Sequence, residues 1–140
     1  MLGLAMGLML AAATAQDLGA ATNDMDALRS TLEIVDTVAE MDDFKPAGWL
    51  ETGRLARAAQ AQHSITLSGG AAFEIYGVCD ADCTGLKLAL LDSGGKILVD
   101  DEDSETPILD YAVPGTYTLR VTMVGCGKPA CNYGVKSYRK

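Results

Sequence analysis

From His63 to Tyr138 the side chains alternate between apolar and polar, and turn residues cut the run at short intervals. No other feature limits the possible folds as strongly. His63-Ser64-Ile65-Thr66-Leu67-Ser68 alternates and stops at Gly69-Gly70. Ala72 to Cys79 puts Phe73, Ile75 and Gly77 on one side and Glu74, Tyr76 and Val78 on the other. Leu86 to Leu91 is a third run, and Asp92-Ser93-Gly94-Gly95 turns it into Ile97-Leu98-Val99. Ile108 to Val113, Tyr117 to Val124 and Tyr133 to Tyr138 complete the set. A period of two is the signature of half-buried strands, and Gly, Pro, Asn and Asp clusters mark the turns between them. About seven short strands of this kind predict a mainly β fold, a jelly-roll-like antiparallel β-sandwich.

The chain ahead of the strands reads differently. Residues 1–15 hold an apolar run from Leu2 to Ala13 and the Ala13-Thr14-Ala15 pattern, with no charge before Asp17 and no Lys or Arg ahead of the run. This is read as a signal peptide cleaved after Ala15. The run is too short to span a bilayer, so no membrane insertion is expected after cleavage. Residues 16–61 are expected to form a helical N-terminal segment and a connector, and residues 62–140 the sandwich. Met25, Leu28, Leu32, Val35, Val38 and Met41 recur at spacings of three and four, one stripe of an amphipathic helix. Asn23 or Asp24 would cap it, and it should stop near Asp43, before Lys45-Pro46. The stripe predicts docking on the same chain's sheet, with a partner groove as the alternative. Residues 44–62 are expected to be irregular or briefly helical. Trp49 would plug the gap between helix and sheet, or else serve as a ligand platform.

The four cysteines are Cys79, Cys83, Cys126 and Cys131. An even number in a small exported chain indicates two disulfides. Of the three pairings allowed, Cys79–Cys83 and Cys126–Cys131 are favoured, each closing a short loop worth about 2 kcal/mol of unfolded-state entropy. Such bridges pin turns. A four-cysteine zinc site is the alternative, disfavoured by an oxidising compartment. Asp80, Asp82 and Thr84 are expected to face solvent in the first loop.

The net charge of -8, from 11 basic and 19 acidic residues, disfavours nucleic acid and anionic membrane surfaces, both of which require a basic footprint. The single histidine, His63, has no evident nucleophile or acid partner, and no G-x-S-x-G motif occurs. The chain is therefore expected not to be an enzyme.

The stretch CTGLKLALLDSGGKILVDDEDSETPILDYAVPGTYTLRV resembles the bacterial pre-peptidase C-terminal domain. The matching parts are Leu86 to Asp92, the polar loop from Asp100 to Glu105, Gly115 to Val121, and Tyr133-Gly134-Val135. Lys87 stands where the family usually has Asp, and the cysteine loops and helix lie outside its pattern. The resemblance covers residues 62–140. It implies a jelly-roll-like sandwich that serves as a non-catalytic module of secreted proteins, some of which bind polymers.

Together these features predict a periplasmic or secreted module that binds an envelope protein or polymer. The alternative is a structural or chaperone-like protein working through its helix. No cofactor is expected, with calcium as the alternative. Asp100, Asp101, Asp103 and Glu105 offer hard oxygen ligands for that ion, and a solvated charged loop is the plainer reading of them. Trp49, Tyr76 and Tyr117 are the aromatic candidates for a binding surface.

Overall fold

The computed structural model describes residues 25–140. The expected signal segment 1–15 and the capping residues Asn23 and Asp24 lie outside that range. The first element is a helix, α1 (residues 25–41). Eight strands follow: β1 (Lys45–Leu55), β2 (Gln60–Leu67), β3 (Phe73–Cys79), β4 (Cys83–Leu91), β5 (Ile97–Asp103), β6 (Ile108–Tyr111), β7 (Gly115–Cys126) and β8 (Cys131–Arg139). They form two four-stranded sheets, ordered β1-β8-β3-β6 and β2-β7-β4-β5, and every pairing is antiparallel. The mainly β sandwich expected from the period of two is present.

The inner faces supply the core. Ile65, Leu67, Phe73, Ile75, Leu86, Leu88, Leu90, Leu109, Leu119, Val121, Met123, Tyr133 and Val135 are buried together between the sheets. Their spacing of two along each strand is the alternation visible in the sequence. Among the described residues, no helix covers the outer face of the second sheet. It presents Gln62, Ser64 and Thr66 on β2, Thr116, Thr118, Arg120 and Thr122 on β7, and Lys87 on β4, cross-strand neighbours of one another.

The outer face of the first sheet is apolar and α1 covers it. Leu28, Leu32, Val35 and Ala39 bury against Tyr76, Val78 and Tyr138. Gly134 lies under the helix, where a Cβ would make ordinary contact with Leu32 Cδ1 at 3.5 Å. Each fully buried leucine contributes about 2 kcal/mol. Lys136 Nζ donates to Asp36 Oδ1 at 2.7 Å, and the Tyr138 hydroxyl donates to the same oxygen. Burial raises the Asp36 carboxyl pKa, yet the bonds from Lys136 and Tyr138 together outweigh it and leave the pKa lowered. The helix ends in a Schellman motif. Phe44 N–H reaches Ala39 O at 3.0 Å, Asp43 N–H reaches Glu40 O at 3.0 Å, and Asp43 sits at φ 66°.

The structure corrects four expectations about the elements and their packing. The stretch 44–62 is not a connector: β1 fills most of it, paired with β8 from Lys45↔Arg139 to Leu55↔Cys131. Pro46, the Gly48 turn at φ 83° and a register shift between Pro46 and Leu50 hid the strand, because all three interrupt alternation. An edge strand bonded on one side tolerates them. The acidic stretch is not a loop either, because β5 continues through Asp103 opposite β4. The helix stripe is rotated from the one expected. Ala39 takes the buried place, while Val38 and Met41 point outward. Trp49 packs at the edge of the inter-sheet core rather than between helix and sheet.

Candidate functional site

The two disulfides form as expected, with Cα atoms 5.9 Å apart in Cys79–Cys83 and 6.0 Å apart in Cys126–Cys131. They lie side by side at one end of the sandwich, where Cys83 is the register partner of Cys126. Asp80 joins them and does not face solvent. Its carboxylate is fully buried and accepts from Asn132 N–H at 2.8 Å, Asn132 Nδ2 at 3.3 Å, Asp82 N–H at 3.2 Å and Lys128 Nζ at 3.2 Å. Lys128 also meets Asp82 at 3.1 Å. A charge removed from water persists when it is paired and hydrogen-bonded, and Asp80 meets both conditions. The contact with Asn132 spans 52 residues, so no local sequence signal announces it.

The residues offered for calcium have other partners. Asp101 Oδ2 accepts from Ile108 N–H at 2.9 Å and ties β5 to β6. Asp103 Oδ2 accepts from Thr106 N–H at 2.8 Å and Glu105 N–H at 3.1 Å, bonds that lower its pKa. Asp100 faces Lys87 at 3.6 Å. Because β5 is extended, successive acids point to opposite faces and do not converge. Among the described residues, no group of three His, Cys, Asp or Glu is arranged to hold a metal ion.

The aromatic candidates stand in three separate places. Trp49 lies on β1, its indole N–H donating to Ser64 O at 3.1 Å and its ring 6.4 Å from that of His63. His63 Nε2 is 2.7 Å from the hydroxyl of buried Tyr133, a partner the sequence did not suggest. Tyr76 is buried under α1, edge-on to Tyr138. Tyr117 closes its own turn, donating to Val113 O at 2.8 Å, and stacks edge-on against Tyr111. Packing therefore explains each of them, and they share no common surface.

Near the C-terminal end of α1 two carboxyls meet, one buried (Glu74) and one exposed (Asp110). Glu74 on β3 is the register partner of Asp110 on β6 and accepts from the Tyr76 hydroxyl at 3.3 Å. Burial first, then the bond to and charge of Asp110, raise the Glu74 pKa to about 7, with Asp42 adding to the rise and Tyr76 opposing it. Burial and the Glu74 charge push Tyr76 up to about 12.

The exposed apolar groups that matter most lie on α1. Ile34 is 64%, Val38 44% and Met41 80% exposed. Their spacings of four and three put them on one face of the helix, away from the docked side. The same side of α1 leads to a cavity of about 270 Å³ between Ala27 and Thr31 of the helix, the Cys79–Cys83 loop, and Ser104 and Glu105. Periodicity alone could have revealed this second stripe, but the inner stripe masked it.

No protein-family model and no curated protein matches this sequence. Solved structures of similar fold include three from bacteria. One is a periplasmic lysozyme inhibitor of g-type lysozyme from Aeromonas hydrophila, 6% identical with a TM-score of 0.42, covering 64% of this chain and 82% of that one. Another is the pre-peptidase C-terminal domain of a collagenase from Bacillus anthracis, 12% identical with a TM-score of 0.47, covering 62% and 87%. A third is the mitogen of Yersinia pseudotuberculosis, 15% identical with a TM-score of 0.45, covering 68% and 87%.

Proposed function

We propose that this chain is a non-catalytic binding module of the periplasm or extracellular space, recognising a protein partner through the outer face of α1. The observation that carries this reading is the row Ile34, Val38 and Met41. These large apolar side chains are left in water on a helix whose other face is fully used by the sandwich. Exposed apolar surface of this kind is costly unless something covers it, and a rigid sandwich holds it in a fixed orientation. Two disulfides at one end fit an oxidising compartment. The helix thus serves both readings of its amphipathicity, docking by one stripe and presenting another.

The test is cross-linking in the native envelope with tagged protein, followed by mass spectrometry. One dominant protein should be captured by the wild type and lost from an Ile34→Gln/Val38→Gln variant of unchanged thermal midpoint. Identical capture by both proteins would overturn the reading. So would a turnover that depends on His63.

A further inference from the structure

The exposed stripe is longer than its three large residues. Ala27, Thr31, Ile34, Val38 and Met41 follow at spacings of four, three, four and three, the pattern of a helix-pairing seam. At its N-terminal end the stripe opens into the cavity that Glu105 lines. The surrounding charges indicate what covers it. Residues 25–43 hold Asp26, Glu33, Asp36, Glu40, Asp42 and Asp43 against one base, Arg29. Arg29 is paired with Asp26 at 3.7 Å, and Asp36 is taken by Lys136. Glu33 and Glu40 stand exposed on one side of the stripe, about 100° round the helix from Ile34 and Met41, Asp42 and Asp43 follow past its C-terminal end, and Glu105 lines the cavity at the other end.

A second copy of this chain would set these acids against one another, and an anionic lipid surface would meet the same repulsion. We propose that the outer face of α1 docks a cationic amphipathic helix of another protein. The partner's apolar side chains would cover Ile34, Val38 and Met41. Its lysines or arginines would meet the flanking carboxylates and, at one end, Glu105. This deepens the binding-module reading and rests on it.

The experiment titrates the purified chain with a synthetic leucine–lysine amphipathic helix and with its leucine–glutamate twin, read by fluorescence anisotropy. The basic peptide should bind at one site at least about tenfold more tightly than the acidic twin, and lose affinity as salt rises. Ile34→Gln/Val38→Gln should weaken binding about tenfold. Glu33→Gln/Glu40→Gln should weaken it and flatten the salt dependence. If the double apolar variant loses its thermal midpoint, Met41→Gln at the most exposed position replaces it. Equal binding of the acidic twin, unchanged binding by the stripe variants, or self-association through the stripe in sedimentation would each overturn the proposal. Should the basic peptide fail while envelope capture still depends on Ile34 and Val38, the cationic partner falls and the module reading stands. If capture is indifferent as well, both fall.

Discussion

Replacing Glu74 by Gln should stabilise this protein at neutral and alkaline pH and leave it nearly unchanged in mild acid. Glu74 is buried on β3, opposite Asp110 on β6 and beside Tyr138 on β8, with Tyr76 on its own strand and Asp42 at the end of α1 nearby. Burial and the facing Asp110 raise its pKa from an ordinary 4.5 to about 7. Between those values the folded chain keeps a proton that the unfolded chain has released. Stability therefore falls as pH rises through this window, and the full deficit is present above about pH 7. At about 1.4 kcal/mol per pH unit, a complete effect is about 3 kcal/mol, and sharing of the proton with Asp110 reduces it to about 1–3 kcal/mol. Gln keeps a donor toward Asp110 and cannot ionise. Urea unfolding from about pH 5 to about pH 8 should show the wild type losing stability along a slope the variant lacks. The lowered carboxyls, Asp36 and Asp103, lose their contributions at the acid end, as pH falls through their folded pKa values, so their window is separate. Parallel profiles for the two proteins would refute the reasoning.

Three further outcomes are expected. Asp80→Ala should lower stability by about 2–4 kcal/mol in urea unfolding, because it removes the buried carboxylate that Lys128 meets and leaves the buried Asn132 N–H without its acceptor. Asp80→Asn should cost less, since it retains the acceptor. Asp43→Gly should raise stability by about 0.5–1 kcal/mol, because Asp43 holds the left-handed φ of 66° that glycine adopts without penalty; a lower thermal midpoint would contradict this. Gly53→Ala should cost about 1–3 kcal/mol, as its Cβ would lie 2.5 Å from the hydroxyl of fully buried Tyr133. A shift of the His63 ring resonances should accompany it, since His63 bonds that hydroxyl.

Much of this molecule is a local matter, and local matters are legible in a sequence. The inner faces of β2, β3, β4, β7 and β8 follow from alternation, which places every second side chain on one side whatever the strand's neighbour. Cysteine spacing likewise indicated both disulfides, because a loop of a few residues holds its ends together without help from the rest of the fold. The inner stripe of α1 was readable as far as Val35, where the choice between Val38 and Ala39 required the position of the sheet.

The remainder depended on contacts across the chain. β1 is a strand because β8 pairs with it, although Pro46 and Gly48 argue locally against one. Asp80 is buried because Asn132 and Lys128, remote in sequence, close over it. The Asp100–Glu105 run does not gather as a ligand cage because β4 draws its first part into an edge strand. Glu74 looks like an ordinary surface acid until packing buries it opposite exposed Asp110, and only then does dehydration raise its pKa. The outer stripe of α1 was visible as residues, but its exposure was decided by which face the sheet took. A sequence specifies what each short segment favours, while burial, long-range charge pairing and the surface left over for a partner exist only once the segments are packed.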